Sequence, residues 1–192
     1  MLLVNHVDIA LAVNRKECNV IGIKFAKIRP NAIIPSKRDE DMGFDIYACF
    51  DEDYMIIKPH ETKLIPTGIA SACNPEWGFV LRERGSTGSK GIALRAGVID
   101  SGYRNEWFVG LTNTTNKILF ISKLTEEETY NKYSDSDSLW LEPDYFVYPY
   151  SKAIAQALVI PVPKAFVEEI TYEELKTIES ERGLGALGSS NK

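Results

Sequence analysis

The chain has 192 residues, 44% of them hydrophobic and 26% charged, which fits one domain with a sizeable core. A formal net charge of -5 argues against a general nucleic-acid surface, and no apolar run approaches the roughly 20 residues of a membrane span. Cys18, Cys49 and Cys73 are odd in number and form no CxxC pair, so they suggest neither a disulfide framework nor a zinc knuckle and fit a reducing cytoplasm.

Residues 1–19 fit neither the helical nor the strand period and read as a short packed extension. Asn5, His6 and Asp8 interrupt the apolar stretch, and basic residues follow it instead of preceding it, which makes a poor signal peptide. Ile21–Ile28 alternates apolar and polar residues and reads as a strand. Pro30 and Pro35 bracket a loop, and Lys37–Asp41 reads as a charged, solvated turn. In Gly43–Ala48 the strand period points Asp45 away from Phe44 and Ile46. Such a residue is a satisfied polar group at a strand end or part of a site. Tyr54–Lys58 and Thr62–Pro66 read as a hairpin across Pro59–Glu61, and Gly68–Cys73 and Trp77–Leu81 repeat the pattern across Asn74–Pro75. Short strands at regular spacing predict an all-β barrel or jelly roll.

Arg82–Ser89 is rich in glycine and serine, with Arg82 and Arg84 at its start and Lys90 after it. Small hydroxyls, exposed backbone N–H groups and arginines suit phosphate oxygens. A solvent loop with paired surface arginines is the competing reading. Between Arg82 and Arg104 basic residues outnumber acidic ones, against the trend of the whole chain, which fits an anionic small ligand. Gly97–Tyr103, GVIDSGY, reads as strand, turn and strand: Val98 and Ile99 end a buried strand, Asp100 follows, and Ser101 and Gly102 turn the chain. Asp100 either caps its own turn or holds a small polar ligand. Trp107–Thr112 is a strand and Asn113–Asn116 a turn. Leu124–Asp144 reads as a surface excursion; its Asp135 and Asp137 lack the glycine and distal glutamate of a calcium loop. Tyr145–Tyr150 and Ile154–Ile160 are strands, the second carrying Gln156, whose burial costs free energy unless both ends of the amide are bonded. Thr171–Glu181 gives conflicting signals, a capping box and helical spacing against an extended chain, and is expected to be mostly extended with a helical turn. The tail from Glu181 has the composition of a mobile terminus.

Five stretches in order resemble the motifs of the trimeric dUTP diphosphatases (dUTPases): DMGFDIYA at Asp41–Ala48, RERGSTGS at Arg82–Ser89, GVIDSGYRNE from Gly97, SKAIAQ at Ser151–Gln156 and ERGLGALGSS at Glu181–Ser190. The resemblance implies an all-β, distorted jelly-roll β-barrel with a C-terminal arm. The chain would be a single domain over 1–192, with an N-terminal extension at 1–19, an insertion at 124–144 and a mobile arm at 181–192. It implies a homotrimer in the cytoplasm, the host's if the chain is phage-encoded. That trimer would hydrolyse dUTP to dUMP and pyrophosphate with Mg2+, keeping uracil out of DNA and supplying dUMP for dTMP synthesis. Carried over by motif, Asp100 is the catalytic base and Asp45 lies near the triphosphate, reaching the metal through water. Arg84, Gly85, Ser86, Gln156 and Arg182 meet phosphates. Gly97, Val98 and Ile99 read the uracil edge, Tyr103 packs beneath the deoxyribose, and Leu187, Gly188 and Ser189 close over the nucleotide with the tail.

The chain departs from the family pattern at three places. Gly85 stands where serine usually follows the arginine, Ala153 where an arginine is usual, and Leu187 where an aromatic would stack on uracil. Some phage members carry an insertion at the place of 124–144 that contacts partner proteins, so a regulatory binding module of this fold is the second reading. The sister dCTP deaminases favour phenylalanine at the position of Tyr103 and a catalytic glutamate on the following strand. Here that strand ends in Thr112 and Asn113.

Overall fold

The computed structural model describes residues 21–136, 144–181 and 183, with 135 and 136 described by backbone alone. The chain divides into two compact units, Met1–Val162 and Pro163–Lys192. The first is built of short strands: β1 (Ile23–Lys27), β2 (Gly43–Ile46), β3 (Tyr54–Ile57), β4 (Thr62–Pro66), β5 (Ile69–Cys73), β6 (Trp77–Arg82), β7 (Ile92–Arg95), β8 (Val98–Ile99), β9 (Phe108–Asn113), β10 (Ile118–Ser122), β11 (Tyr145–Pro149) and β12 (Ala155–Pro161). They pair in four sheets, ordered β1-β5, β11-β10-β3, β2-β12-β6-β8 and β4-β9-β7. The expected all-β class is what the chain adopts.

Strand alternation turns one row of side chains inward from each sheet. Ile46, Ile57, Ile65, Phe79, Leu81, Val109, Leu119 and Tyr148 are all buried. Trp107 is fully buried, with Phe79 edge-on at 4.9 Å and Phe25 at 5.7 Å between ring centroids, the geometry that aromatic quadrupoles favour.

The expected hairpins do not form. β3 pairs with β10 and β4 with β9, so the two strands flanking Pro59–Glu61 enter different sheets. The buried Asn113 explains the divergence. Its backbone accepts from His60 N at 2.8 Å and donates to Glu61 O at 3.0 Å, and its amide nitrogen donates to Ile57 O at 3.0 Å and Lys117 O at 2.7 Å. Polar groups of Ile57, His60 and Glu61 that a hairpin would use are thus taken by one residue far along the chain. β5 and β6 diverge in the same way, towards β1 and β12. β10 escaped the sequence reading altogether. It is an unbroken apolar run lying between parallel β11 and antiparallel β3, and a strand covered on both faces shows no alternation.

The stretch from Leu124, expected as a surface excursion, carries a packed helix. Helix α2 (Glu126–Ser136) buries the Thr129 hydroxyl against Ser122 Oγ at 2.7 Å, stacks Tyr130 on Tyr145 and sets Tyr133 edge-on to Phe120. Lys132 pairs with Asp53. Residues 137–143 lie outside the described residues. In the second unit, Tyr172–Thr177 forms a helix, α3, where the chain was expected mostly extended. Thr171 Oγ1 accepts from Glu174 N at 3.2 Å and the Glu174 carboxylate accepts from Thr171 N at 2.8 Å, so the capping box prevails.

Candidate active site

β12 lies between β2 and β6, and its register sets Gln156 opposite Asp45 on one side and Arg82 on the other. Ala155 and Ala157 are fully buried, so alternation turns Gln156 to the other face. Its amide nitrogen donates to Glu83 O at 2.8 Å. Gly43 makes room for it: a Cβ there would stand 3.0 Å from both Gln156 Cβ and Oε1 and 3.2 Å from Leu158 Cδ2. Gly43→Ala is expected to push Gln156 aside and cost about 1–3 kcal/mol in overpacking. The check is a lowered Tm together with weaker binding of a non-hydrolysable dUTP analogue.

β6 ends at Arg82, and a single helical turn follows, α1 (Gly85–Gly88). The buried Thr87 hydroxyl closes it, accepting from Arg84 N and donating to Arg84 O, both at 3.0 Å. The Glu83 carboxylate accepts from Leu94 N at 2.9 Å, a bond that holds Glu83 below the usual carboxylate range. Held from both sides, Arg84 points its guanidinium at Asp45, with Nε 3.0 Å from Oδ1 and Nη2 3.3 Å from Oδ2. This two-pronged geometry is the one guanidinium uses for carboxylate or phosphate.

Asp45, Arg84, Gly85, Ser86 and Gln156 line one cavity of about 860 Å³. Ser36, Lys37, Arg38, Glu40, Asp41, Met42 and Gly43 line it as well, drawn largely from the charged run read as a solvated turn. Arg38 forks onto Asp41 with Nε 2.9 Å from Oδ2 and Nη2 2.8 Å from Oδ1, and the resulting hydrogen bonds lower Asp41 to about 2. Lys37, Arg38 and Asp41 are therefore cavity residues that sequence reasoning missed. The available signal was their position in the charged run leading into the Asp45 stretch.

The remaining expected residues lie elsewhere. Val98 and Ile99 pair with Val80 and Phe79, in the middle of β6. Ile99 and Arg84 are thus separated along β6 by roughly 16 Å, at ~3.3 Å per residue. Asp100 follows Ile99 on the exposed turn closed by Tyr103 N to Asp100 O at 3.1 Å. Gly97 adopts φ +111°, and a Cβ there would sit 3.0 Å from Leu81 Cβ, so glycine is required. Tyr103 donates its hydroxyl to Glu106 O at 3.0 Å. The turn exists, but no return strand pairs with β8, since β9 joins β4 and β7. Within one chain, Asp45, Arg84, Gly85, Ser86 and Gln156 come together, and Asp100, Gly97, Val98, Ile99 and Tyr103 form a second group. Arg182, Leu187, Gly188 and Ser189 lie outside the described residues.

The arrangement of these strands is shared with the Staphylococcus bacteriophage 80alpha dUTPase solved with dUPNHPP: TM-score 0.67 at 22% identity, covering 88% of this chain and 98% of that one. The dUTPase of phage phi11 of S. aureus, described for its structural Mg(II) ion, matches with a TM-score of 0.59 at 17% identity, over 79% of this chain and 99% of that one. The fold is therefore that of a dUTPase-like β protein. The dUTPase family pattern matches residues 29–125. A deoxyuridine 5'-triphosphate nucleotidohydrolase of Nautilia profundicola is 33% identical over 176 residues, covering 88% of this chain and 99% of the relative. That of Neisseria gonorrhoeae (strain ATCC 700825 / FA 1090) is 34% identical over 88% of this chain and 95% of its own length. The chain belongs to the dUTPase family.

Proposed function

We propose that the chain hydrolyses dUTP to dUMP and pyrophosphate as a homotrimer, with each site shared between subunits. The observation that carries this is the sheet β2-β12-β6-β8, which gathers Asp45, Gln156 and Arg84 at one cavity and leaves Asp100, on the turn after β8, outside it. With Ile99 roughly 16 Å from Arg84 along β6, at ~3.3 Å per strand residue, the Asp100 turn and the Arg84 cavity of one chain lie apart, which favours a site completed by a second subunit. In a closed ring of identical chains, the turn of one subunit can meet the cavity of the next.

In this reading Arg84 and Gln156 bind triphosphate oxygens, and Gly85 and Ser86 offer backbone N–H and hydroxyl donors beside them. Asp100 takes the proton from a water whose oxygen bonds to the α-phosphorus, while the bond from that phosphorus to the bridging oxygen breaks and pyrophosphate leaves in line. Gly97, Val98 and Ile99 present the backbone that reads uracil, and Tyr103 packs beneath the deoxyribose. Among the described residues no cluster of three or more metal-ligating side chains occurs. The donor set, phosphates plus Asp45 through water, fits Mg2+, which keeps several waters and needs few carboxylates. When bound, magnesium neutralises charge on the triphosphate. No helix among the described residues is long and apolar enough to cross a membrane. A second reading, a protein partner bound through 124–144, can coexist with catalysis, because α2 turns Glu126, Glu127 and Glu128 outward.

The deciding experiment is pyrophosphate release from a panel of nucleoside triphosphates with and without magnesium. Release from dUTP far above dCTP and UTP is expected. Ammonia release from dCTP, or no discrimination among bases, overturns the reading. The tail gives a separate expectation. Ring stacking contributes ~0.5–1.5 kcal/mol beyond area burial, so Leu187→Phe should tighten binding of a non-hydrolysable dUTP analogue by up to roughly tenfold. Arg182→Ala should weaken that binding more than Leu187→Ala does, and less so as salt rises. Equal affinities in all three variants would remove the tail from the site.

A further inference from the structure

We infer that Arg104 is the residue that positions Asp100 for the reaction; the inference rests on the role given to Asp100 above. The Asp100 carboxylate makes no hydrogen bond or ion pair among the described residues of the chain. Its place is therefore set by the backbone of its turn. That turn has one internal bond, Tyr103 N to Asp100 O. An isolated turn of this kind leaves a side chain poorly placed, and a displacement of about 1 Å can cost a reaction roughly 100-fold.

Arg104 supplies the missing restraint. Its Nη1 donates to Ser101 O at 2.6 Å, immediately after Asp100, to Tyr103 O at 3.3 Å and to Ser71 O at 3.2 Å. The first two bonds brace the turn across its mouth. The third ties it to the middle of β5, where Ser71 pairs with Phe25 of β1. The other end of the segment is anchored without Arg104: the buried Glu106 carboxylate accepts from Gly68 N at 2.8 Å and from Arg29 Nε at 3.2 Å. Loss of Arg104 thus frees the half of the segment that carries Asp100 and leaves the other half in place.

The test compares Arg104→Ala, Arg104→Lys and wild type in kcat, in affinity for a non-hydrolysable dUTP analogue, and in amide exchange at Tyr103. Arg104→Ala should lower kcat by roughly 10- to 100-fold, keep analogue affinity within about threefold and speed exchange at Tyr103. Arg104→Lys, with one ammonium able to reach some of the same carbonyls, should recover part of kcat and part of the protection. Unchanged kcat in Arg104→Ala overturns the inference. So does a parallel fall in kcat and affinity that lysine does not relieve, which marks a purely structural residue. If wild type releases no pyrophosphate from dUTP, the functional reading fails instead. Exchange at Tyr103 then still decides the brace: slow exchange retained in Arg104→Ala overturns it.

Discussion

Asp100→Asn is expected to bind nucleotide normally and to lose roughly 10²–10⁴-fold in kcat, the usual contribution of a positioned general base. Asparagine keeps the shape of the side chain and has no basic oxygen pair. The turn that carries it should survive, since its bonds run through Asp100 O, Tyr103 N and the Arg104 guanidinium, none of which involves the Asp100 carboxylate. The check is single-turnover hydrolysis of dUTP beside equilibrium binding of its non-hydrolysable analogue. A loss confined to kcat is the expected pattern, because an interaction needed only in the transition state leaves ground-state binding alone. Near-normal turnover would remove Asp100 from the mechanism.

Arg84→Ala should cost a comparable amount by a different route. Removing a charged donor aimed at developing negative charge typically costs ~10²–10³ in kcat. Here it also leaves Asp45 without the guanidinium that neutralises it. The informative version mixes the two inactive variants. If each site takes its Arg84 from one subunit and its Asp100 from another, trimers formed at random from equal amounts of Asp100→Asn and Arg84→Ala chains contain both intact groups at roughly a quarter of their sites. Activity near that fraction of wild type should appear after joint refolding. Mixtures that stay inactive would mean that both groups must belong to one chain.

How much of this was legible in the sequence depended on whether the signal was local. Asp45 and Gln156 announce themselves as polar residues in apolar strands, and Arg84 as a cation in a loop of small residues. Their meeting could not be read from spacing, because it depends on β12 entering between β2 and β6. The two false hairpins have the same origin: Pro59–Glu61 and Asn74–Pro75 are good turn sequences, and a turn says nothing about which strands it joins. Asn113 redirects the first of them from far along the chain. β10 hid because a strand buried on both faces loses its period. Helix α2 was missed although Thr125 and Glu128 form a capping pair, Thr125 N donating to Glu128 Oε2 at 2.9 Å. Lys37–Asp41 is the solvated turn its charge suggests, with Lys37–Glu40 exposed, and it also borders the cavity, which a charged run does not announce.

The two forked Arg–Asp pairs have a consequence for how a polyanion arrives. Lys37, Arg38 and Arg84 face Glu40, Asp41 and Asp45 around the cavity, three cations against three anions in a chain of net charge -5. A cavity so balanced casts no attractive field beyond its own mouth, and steering of the kind that lifts association rates is a long-range effect of unbalanced charge. On these residues the recognition of a triphosphate rests on contact, when Arg84 exchanges the Asp45 carboxylate for a phosphate.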